Sequence, residues 1–184
     1  MKKSLKYLLY SIGIFLILFL CTFKYFEMNF ENNLKSNDFS VFIVEIKESK
    51  NLPQNFYKNY ERVNPDGIDN NFLKAIVNKS ECQSQNVARK INPIVKKNQL
   101  SRFKYLTFEY FLIRKIEKNT SQLQCLNWTA RKYNFLYGIK GIENASLFYF
   151  NKKIENLPQN EMEILIKMME NPVKNNPKRK KNFR

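Results

Sequence analysis

The 184-residue chain contains no histidine. That absence excludes Ser-His-Asp and Cys-His catalysis and removes the commonest metal ligand. Cysteine is scarce too. Cys21, Cys82 and Cys125 form no CxxC spacing, so no zinc site is expected. Cys82 and Cys125 pair if the fold brings them together and otherwise stand as two isolated thiols. Four glycines are too few for a phosphate-cradling glycine loop. Acidic residues are short as well: 16 Asp and Glu face 32 Lys and Arg, giving a formal net charge of +16. Such a charge suits a nucleic acid, an anionic membrane surface or a phosphate-bearing substrate, and it does not constrain the fold. Asn and Lys are abundant throughout, so a single one carries little functional weight.

One long apolar run is present. Lys2, Lys3 and Lys6 precede the stretch from Tyr7 to Phe23, which only Ser11, Gly13 and Thr22 interrupt. At a helical rise its length is roughly 25 Å, near the lower end for a hydrocarbon core. Tyr25 and Phe26 suit the interface, and Lys24 can snorkel to it. The leading lysines favour an inside N-terminus, which puts the remaining chain outside the cytoplasm. A cleaved secretory signal is the competing reading. Cys21-Thr22-Phe23-Lys24 offers a poor cleavage site, so an uncleaved anchor over residues 1–26 is expected.

Residues 27–51 read as a polar stalk. Within it Phe39 to Ile46 alternates in part, and Val41, Ile43 and Ile46 are β-branched, which predicts a short strand. Leu52-Pro53 opens a new segment, and Asn64-Pro65-Asp66-Gly67 is a turn signal. Asp69 is placed to cap a helix through Phe72, Ile76 and Val77. Ser84 to Ile91 predicts a short helix ending before Pro93. From Ser101, Phe103, Leu106, Tyr110, Ile113 and Ile116 or Glu117 recur at helical spacing. Thr120 or Ser121 starts another helix through Leu123, Leu126 and Ala130. Gly138 and Gly141 open an apolar segment that a Tyr149-Phe150 pair closes, and a further helix begins at Pro158, which suits a first turn. The tail from Lys174 to Arg184 is basic and has no apolar periodicity. Six or so helices with little strand predict a mainly α domain over 52–184, with no internal repeats.

The C-terminal segments carry a resemblance. Gly138-x-x-Gly141-Ile142-Glu143-x-Ala145-x-x-x-Tyr149-Phe150-x-Lys152 is similar to the run G-x-x-G-x-E-x-A-A-x-x-Y-F-x-K. Leu157 to Asn171-Pro172 resembles L-x-x-x-E-x-A-x-L-A-G-L-P, and Asn176-Pro177-x-Arg179 with Arg184 resembles N-P-x-R-x-x-x-x-R. Reading back without a gap, Ser121 falls on the Ser of S-K-x-x-I-L-E, Glu117 on a Glu four residues earlier, and Glu109 on the Glu of R-K-x-x-E. Gln85-Asn86-Val87-Ala88-Arg89 resembles Q-Q-L-A-K, and Gly67-Ile68-Asp69 resembles G-V-D. These motifs belong to glycosyltransferase family 51, the peptidoglycan transglycosylase domain of class A penicillin-binding proteins and monofunctional transglycosylases.

The resemblance implies a lysozyme-like α domain behind one N-terminal transmembrane helix, on the outer face of a bacterial cytoplasmic membrane. It implies lipid II or a nascent glycan strand as ligand, the membrane and cell-wall synthesis proteins as partners, and no nucleic acid. No cofactor is implied, although a divalent cation at the diphosphate is compatible with the family. The site residues implied are Glu109 and, as a replacement base, Glu61, with Gln85, Asn86, Arg89 and Lys90 facing diphosphate and glycan; Lys104 would add charge.

The departures are concentrated upstream. The family's first motif, E-D-x-x-F-x-x-H-x-G, has Lys58 at the Glu position and Pro65 at the His position; Glu61 is the nearest carboxylate. G-G-S-T-I-T-Q-Q is reduced to Glu81-Cys82-Gln83-Ser84-Gln85-Asn86, without its glycines. Tyr105-Leu106 replaces R-K, and Asn127 and Arg131 replace the later Glu and Asn. Glycosyl transfer needs a base near the attacking hydroxyl and cations against the leaving diphosphate. The cations persist; the base is absent from its place. Two functions follow: an active lipid II polymerase with a substitute base, or an inactive relative that binds lipid II or a synthase. A basic anchored protein that binds anionic polymers by charge alone is a third.

Overall fold

The computed structural model describes residues 2–34, 36–80, 82–91 and 102–179. Glu81, Pro93, the Lys104 side chain and Arg184 lie outside the described residues. The architecture is helical, as the sequence predicts, with no strand among the described residues. In chain order the helices are α1 Lys2–Asn33, α2 Ser36–Lys47, α3 Gln54–Val63, α4 Phe72–Asn78, α5 Gln83–Ile91, α6 Arg102–Asn119, α7 Gln122–Lys132, α8 Ile142–Phe150 and α9 Gln159–Glu170.

α1 contains a stretch, Leu5–Asn32, long and apolar enough to cross a membrane, and none of its most apolar window is buried in the protein. The helix does not stop where the apolar run stops. It continues to Asn33, and its last turns pack on α6: Phe30 lies 4.7 Å from Phe108 and Phe23 lies 5.2 Å from Phe111, ring centre to ring centre. The expected polar stalk is therefore corrected. Residues 27–33 end α1 and residues 36–47 form α2, both packed against the domain, and the short strand expected over Phe39 to Ile46 is part of α2. Phe39, Ile43 and Ile46 are buried while Val41 and Val44 are exposed. That spacing of four and three is helical, and burial against α6 and α7 overrides β-branched propensity.

Two apolar cores share one helix. Phe30, Ile46, Val87, Phe111 and Ile116 belong to the first, while Phe56, Phe135, Ile142 and Leu165 belong to the second. α7 separates them, giving Cys125 and Trp128 to one and Leu126 and Ala130 to the other. A helix walled on both sides buries most of its circumference, and residues 125–130 of α7 are all buried. Cys82 and Cys125 are free thiols. Burial pushes the Cys125 thiol up to about 12 and raises that of Cys82 as well.

α6 buries more than the face its spacing marks. Phe108, Leu112 and Ile116 are inside, but Leu106 is 56% exposed. The helix lies between α1 and α5 and so covers two neighbours at once. Its last turn carries Glu117, whose Oε1 accepts from the Phe72 N–H at 2.7 Å, the Ser84 hydroxyl at 3.0 Å and the Gln122 amide at 3.1 Å. One carboxylate thus fixes the starts of α4, α5 and α7 against the end of α6.

Local signals account for several boundaries. Ser121 caps α7 and forms a capping box with Gln124. Asn71, two residues beyond the expected Asp69, caps α4 by accepting from the Lys74 N–H at 2.9 Å. In the turn at 64–67 the left-handed residue is Asp66, with φ 62°. Gly67 is needed for space instead, because a Cβ there would meet the Asn64 carbonyl oxygen at 3.0 Å. Gly141, at φ 83°, caps α8, and a Cβ there would lie 2.8 Å from the Arg131 carbonyl oxygen.

Two stability predictions follow from these contacts, both read by thermal melting of the full chain in detergent. Gly141→Ala forces a strained backbone onto a residue with a side chain and is expected to cost about 3 kcal/mol. Glu117→Ala leaves three donors without their acceptor and is expected to cost at least about 3 kcal/mol, with Glu117→Gln intermediate because it keeps one acceptor oxygen.

Candidate active-site cleft

A cleft of about 340 Å³ opens where α3 and α9 face α5 and α7. α3 packs on α9 and α5 packs on α7, so the cleft is the seam between two helix pairs. Its volume is at the small end for ligand sites. Gln83, Asn86 and Lys90 enter from α5. They stand three and four residues apart, which places them on one helix face. Arg89 lies beside them at the rim. Tyr60 and Asn64, four apart on α3, form the facing wall together with Ile166, Met169 and Glu170 of α9.

The polar floor is built from buried groups. Gln83 is 1% exposed and donates to the Tyr60 hydroxyl at 2.6 Å. Thr129 is buried, and its Oγ1 has no hydrogen-bond partner among the described residues. Lys90 donates to the Thr129 carbonyl at 3.2 Å, and its ammonium sits 4.8 Å from the centre of the Tyr133 ring. No carboxylate pairs with Lys90 among the described residues. Burial therefore pulls its amino group down to about 8. Lys90 thus keeps a half-buried ammonium that pairs with no carboxylate among the described residues.

The expected site residues separate into three groups. Asn86, Arg89 and Lys90 come together at the cleft. Glu109 is buried behind it and pairs with Arg89, whose Nε lies 3.3 Å from its Oε1. Glu109 does not line the cleft; it holds Arg89 from the α6 side. Gln85 and Glu61 are placed elsewhere. Gln85 is half-buried on another face of α5, and Glu61 is exposed on α3, one residue past the cleft-lining Tyr60 and so about a quarter-turn away. Among the described residues no group of three acids or cysteines is arranged to hold a metal ion.

Gln83 and Glu170 are among the lining residues that the sequence reading does not assign to a site. Gln83 lies two positions before Gln85, and it shares one face of α5 with 86 and 90, adjacent to the core residues Val87 and Ile91. Glu170 closes α9 and is the sole acid among the described residues that line the cleft. No motif marks it, since only the packing of α9 on α3 brings it there.

The positions where catalytic residues of the resembled motifs have been replaced carry structural contacts. Asn127 is buried, accepts from the Tyr57 hydroxyl at 2.7 Å and donates to Asn51 at 3.1 Å. Arg131 pairs with Glu143 and donates to the carbonyls of Lys50 and Asn51. Lys58 is exposed. A family model described as Transglycosylase matches residues 54–184, which takes in every element from α3 to the C-terminus. A search of curated proteins finds no match.

Lys90 gives the cleft a pH signature. Anion binding draws on the protonated amine, so affinity for inorganic diphosphate is expected to hold below about pH 8. Above it, affinity falls by about tenfold per pH unit. Titration calorimetry against Lys90→Met checks this, because the variant retains the ligand's own titration and lacks that of Lys90.

Proposed function

The chain belongs to the transglycosylase family, and from that premise we propose that it binds the diphosphate of a polyprenyl-linked saccharide, lipid II in the family's chemistry, in the α3/α5/α7/α9 cleft. The observation that carries this reading is Lys90, a half-buried cation without an acidic partner, flanked by Arg89 and Asn86. The unpartnered Thr129 hydroxyl beside it would serve a phosphate oxygen. α1 would anchor the chain as a single-pass protein with its N-terminus inside, leaving the domain on the outer face of the envelope membrane, where such a substrate is presented.

Transfer requires a base on the acceptor side, and Glu170 is the candidate. It stands on the α9 wall, while Arg89 and Lys90 stand on α5. The acceptor hydroxyl would attack the donor's anomeric carbon and pass its proton to the Glu170 carboxylate. The bond from that carbon to the diphosphate oxygen breaks, and the departing diphosphate keeps the electron pair beside Lys90 and Arg89. Glu109 acts in this scheme as a positioning residue, fixing the guanidinium of Arg89. Lys58 at the family's base position, and Glu61 turned away from the cleft, favour a second reading, in which the substrate is bound and not polymerised.

Labelled lipid II and the full chain in detergent separate the two. Lys90→Met is expected to lose at least about tenfold in binding, since an ion-paired hydrogen bond is worth roughly 1.5–3 kcal/mol. Glu170→Gln is expected to bind as the unaltered chain does and to lose about 10²–10⁴-fold in polymerisation. Binding without polymer by the unaltered chain supports the second reading. Absence of Lys90-dependent binding removes both.

A further inference from the structure

Two groups hold the Lys90 ammonium in the cleft, and both come from the end of α7. The Thr129 carbonyl, 3.2 Å from Nζ, lies in the last turn of that helix, where partial negative charge favours a cation. The centre of the Tyr133 ring lies 4.8 Å from the same nitrogen. Residues 129 and 133 stand four apart, so carbonyl and ring belong to one side of the helix end. The ring is fixed from behind. Tyr133 ends α7, and its carbonyl accepts from the Gly141 N–H at 2.9 Å. Gly141 can come this close because it has no Cβ to strike the Arg131 carbonyl. The Tyr133 ring meets that of the fully buried Phe135 at a steep angle, with centres 5.0 Å apart. A ring fastened to the second core offers the lysine a surface that stays in place.

A carboxylate in this place would neutralise the lysine. A ring face attracts the ammonium through its quadrupole and leaves the charge whole. Tyr133 stays neutral where Lys90 titrates, because burial raises its phenol above the ordinary value. The other charged or titratable groups around the site lie on every packed element. Arg89 adjoins Lys90 on α5 and pairs with Glu109 of α6; Tyr60 stands on α3 and Glu170 on α9. Arg131 and Lys132 of α7 pair with Glu143 and Glu45. Among the described residues no ion pair joins any of these acids to Lys90. An ammonium has three N–H donors. With the carbonyl taking one and the ring face a second, the third is left for one oxygen of a ligand.

We propose that Tyr133 is a positioning residue of the cleft, whose ring face holds the Lys90 ammonium charged and in place for a diphosphate. The inference rests on the diphosphate reading of the cleft. Tyr133 acts through Lys90 and not by touching the ligand. Its effect has two parts. The quadrupole of the ring offsets some of what burial takes from the charged amine. The long lysine side chain is also ordered before the ligand arrives, so binding does not bear the loss of its rotamer freedom.

The test replaces Tyr133 in the full chain, in detergent, by phenylalanine and by phenylalanines that carry increasing numbers of ring fluorines, up to three. Fluorine drains the ring face of negative potential and barely changes its size. Two quantities are followed against pH. One is the titration of Lys90 itself, by NMR of carbon-13-labelled lysine, with Lys90→Met identifying its signal. The other is the affinity for inorganic diphosphate, by calorimetry. Tyr133→Phe is expected to match the unaltered chain, because it keeps the ring. The trifluorinated ring is expected to lower the Lys90 midpoint by about one pH unit, with the other rings in between. Affinity then falls about fivefold near pH 8 and is unchanged near pH 6, where the amine is protonated in every variant. A Lys90 midpoint that does not move along the series overturns the role of Tyr133, and Lys90-dependent binding of diphosphate in that case leaves the reading of the cleft intact. An equal fall in affinity at both pH values marks a structural defect and also overturns it. Absence of diphosphate binding by the unaltered chain removes the reading of the cleft and this inference with it.

Discussion

A single carboxylate oxygen ties the upper half of this domain together. Oε1 of Glu117 receives a helix-start N–H from α4, a hydroxyl from α5 and an amide from α7. Each donor comes from the first turn of its helix or the residue next to it, where backbone N–H groups lack intrahelical partners and negative charge is favoured. Cys82 adds a long thiol contact at 3.8 Å. The cleft depends on this knot. Gln83, Asn86 and Lys90 all stand on α5, and the start of α5 is fixed by Ser84, which meets both Glu117 and Gln122. A helix held at its first turn and packed through Val87 and Ile91 has little freedom to rotate. The face it gives the cleft is therefore set by contacts outside the cleft.

The sequence reads well where structure is local and poorly where it is not. Ser121, Gly141 and Pro158 mark helix starts because capping chemistry is confined to a few residues around each. The mainly α class follows from spacing over longer windows. Phe39 to Ile46 misleads because its alternation is partial, and only contact with α6 and α7 decides between two periods. The stalk misleads for a related reason. Its residues are polar on average, yet Phe39, Ile43 and Ile46 form one apolar face of α2 and bury against the same core as Phe30 of α1. Glu170 falls within the segment that resembles a family motif without being marked by it, because its place at the cleft depends on the packing of α9 on α3.

The altered motif positions show what replaced them. Asn127 stands where the family's pattern has a Glu. It is fully buried and its amide is satisfied by Tyr57 and Asn51. A carboxylate at this fully buried position would carry a desolvation cost that the neutral amide does not. Arg131 has likewise turned to holding Glu143 and the chain before α3. Within the family's scaffold, positions 127 and 131 are thus held by satisfied hydrogen bonds and an ion pair.

Lys90 differs from these satisfied positions. Burial holds its amine at about 8, below the usual lysine range, so the folded chain binds this proton less tightly than the unfolded chain does. The sign is unfavourable to folding at neutral pH. Stability from this group is lowest where Lys90 is charged in both states, and it rises with pH from about 8 toward the ordinary lysine value near 10.5. A methionine would fill the same space against Tyr133 without that penalty. Lys90 therefore stands half-buried, 3.2 Å from the Thr129 carbonyl, at a cost to folding. An anion in the cleft reverses the balance, since it favours the charged amine and draws its proton affinity back up. A bound anion would in this way offset part of the desolvation cost of Lys90.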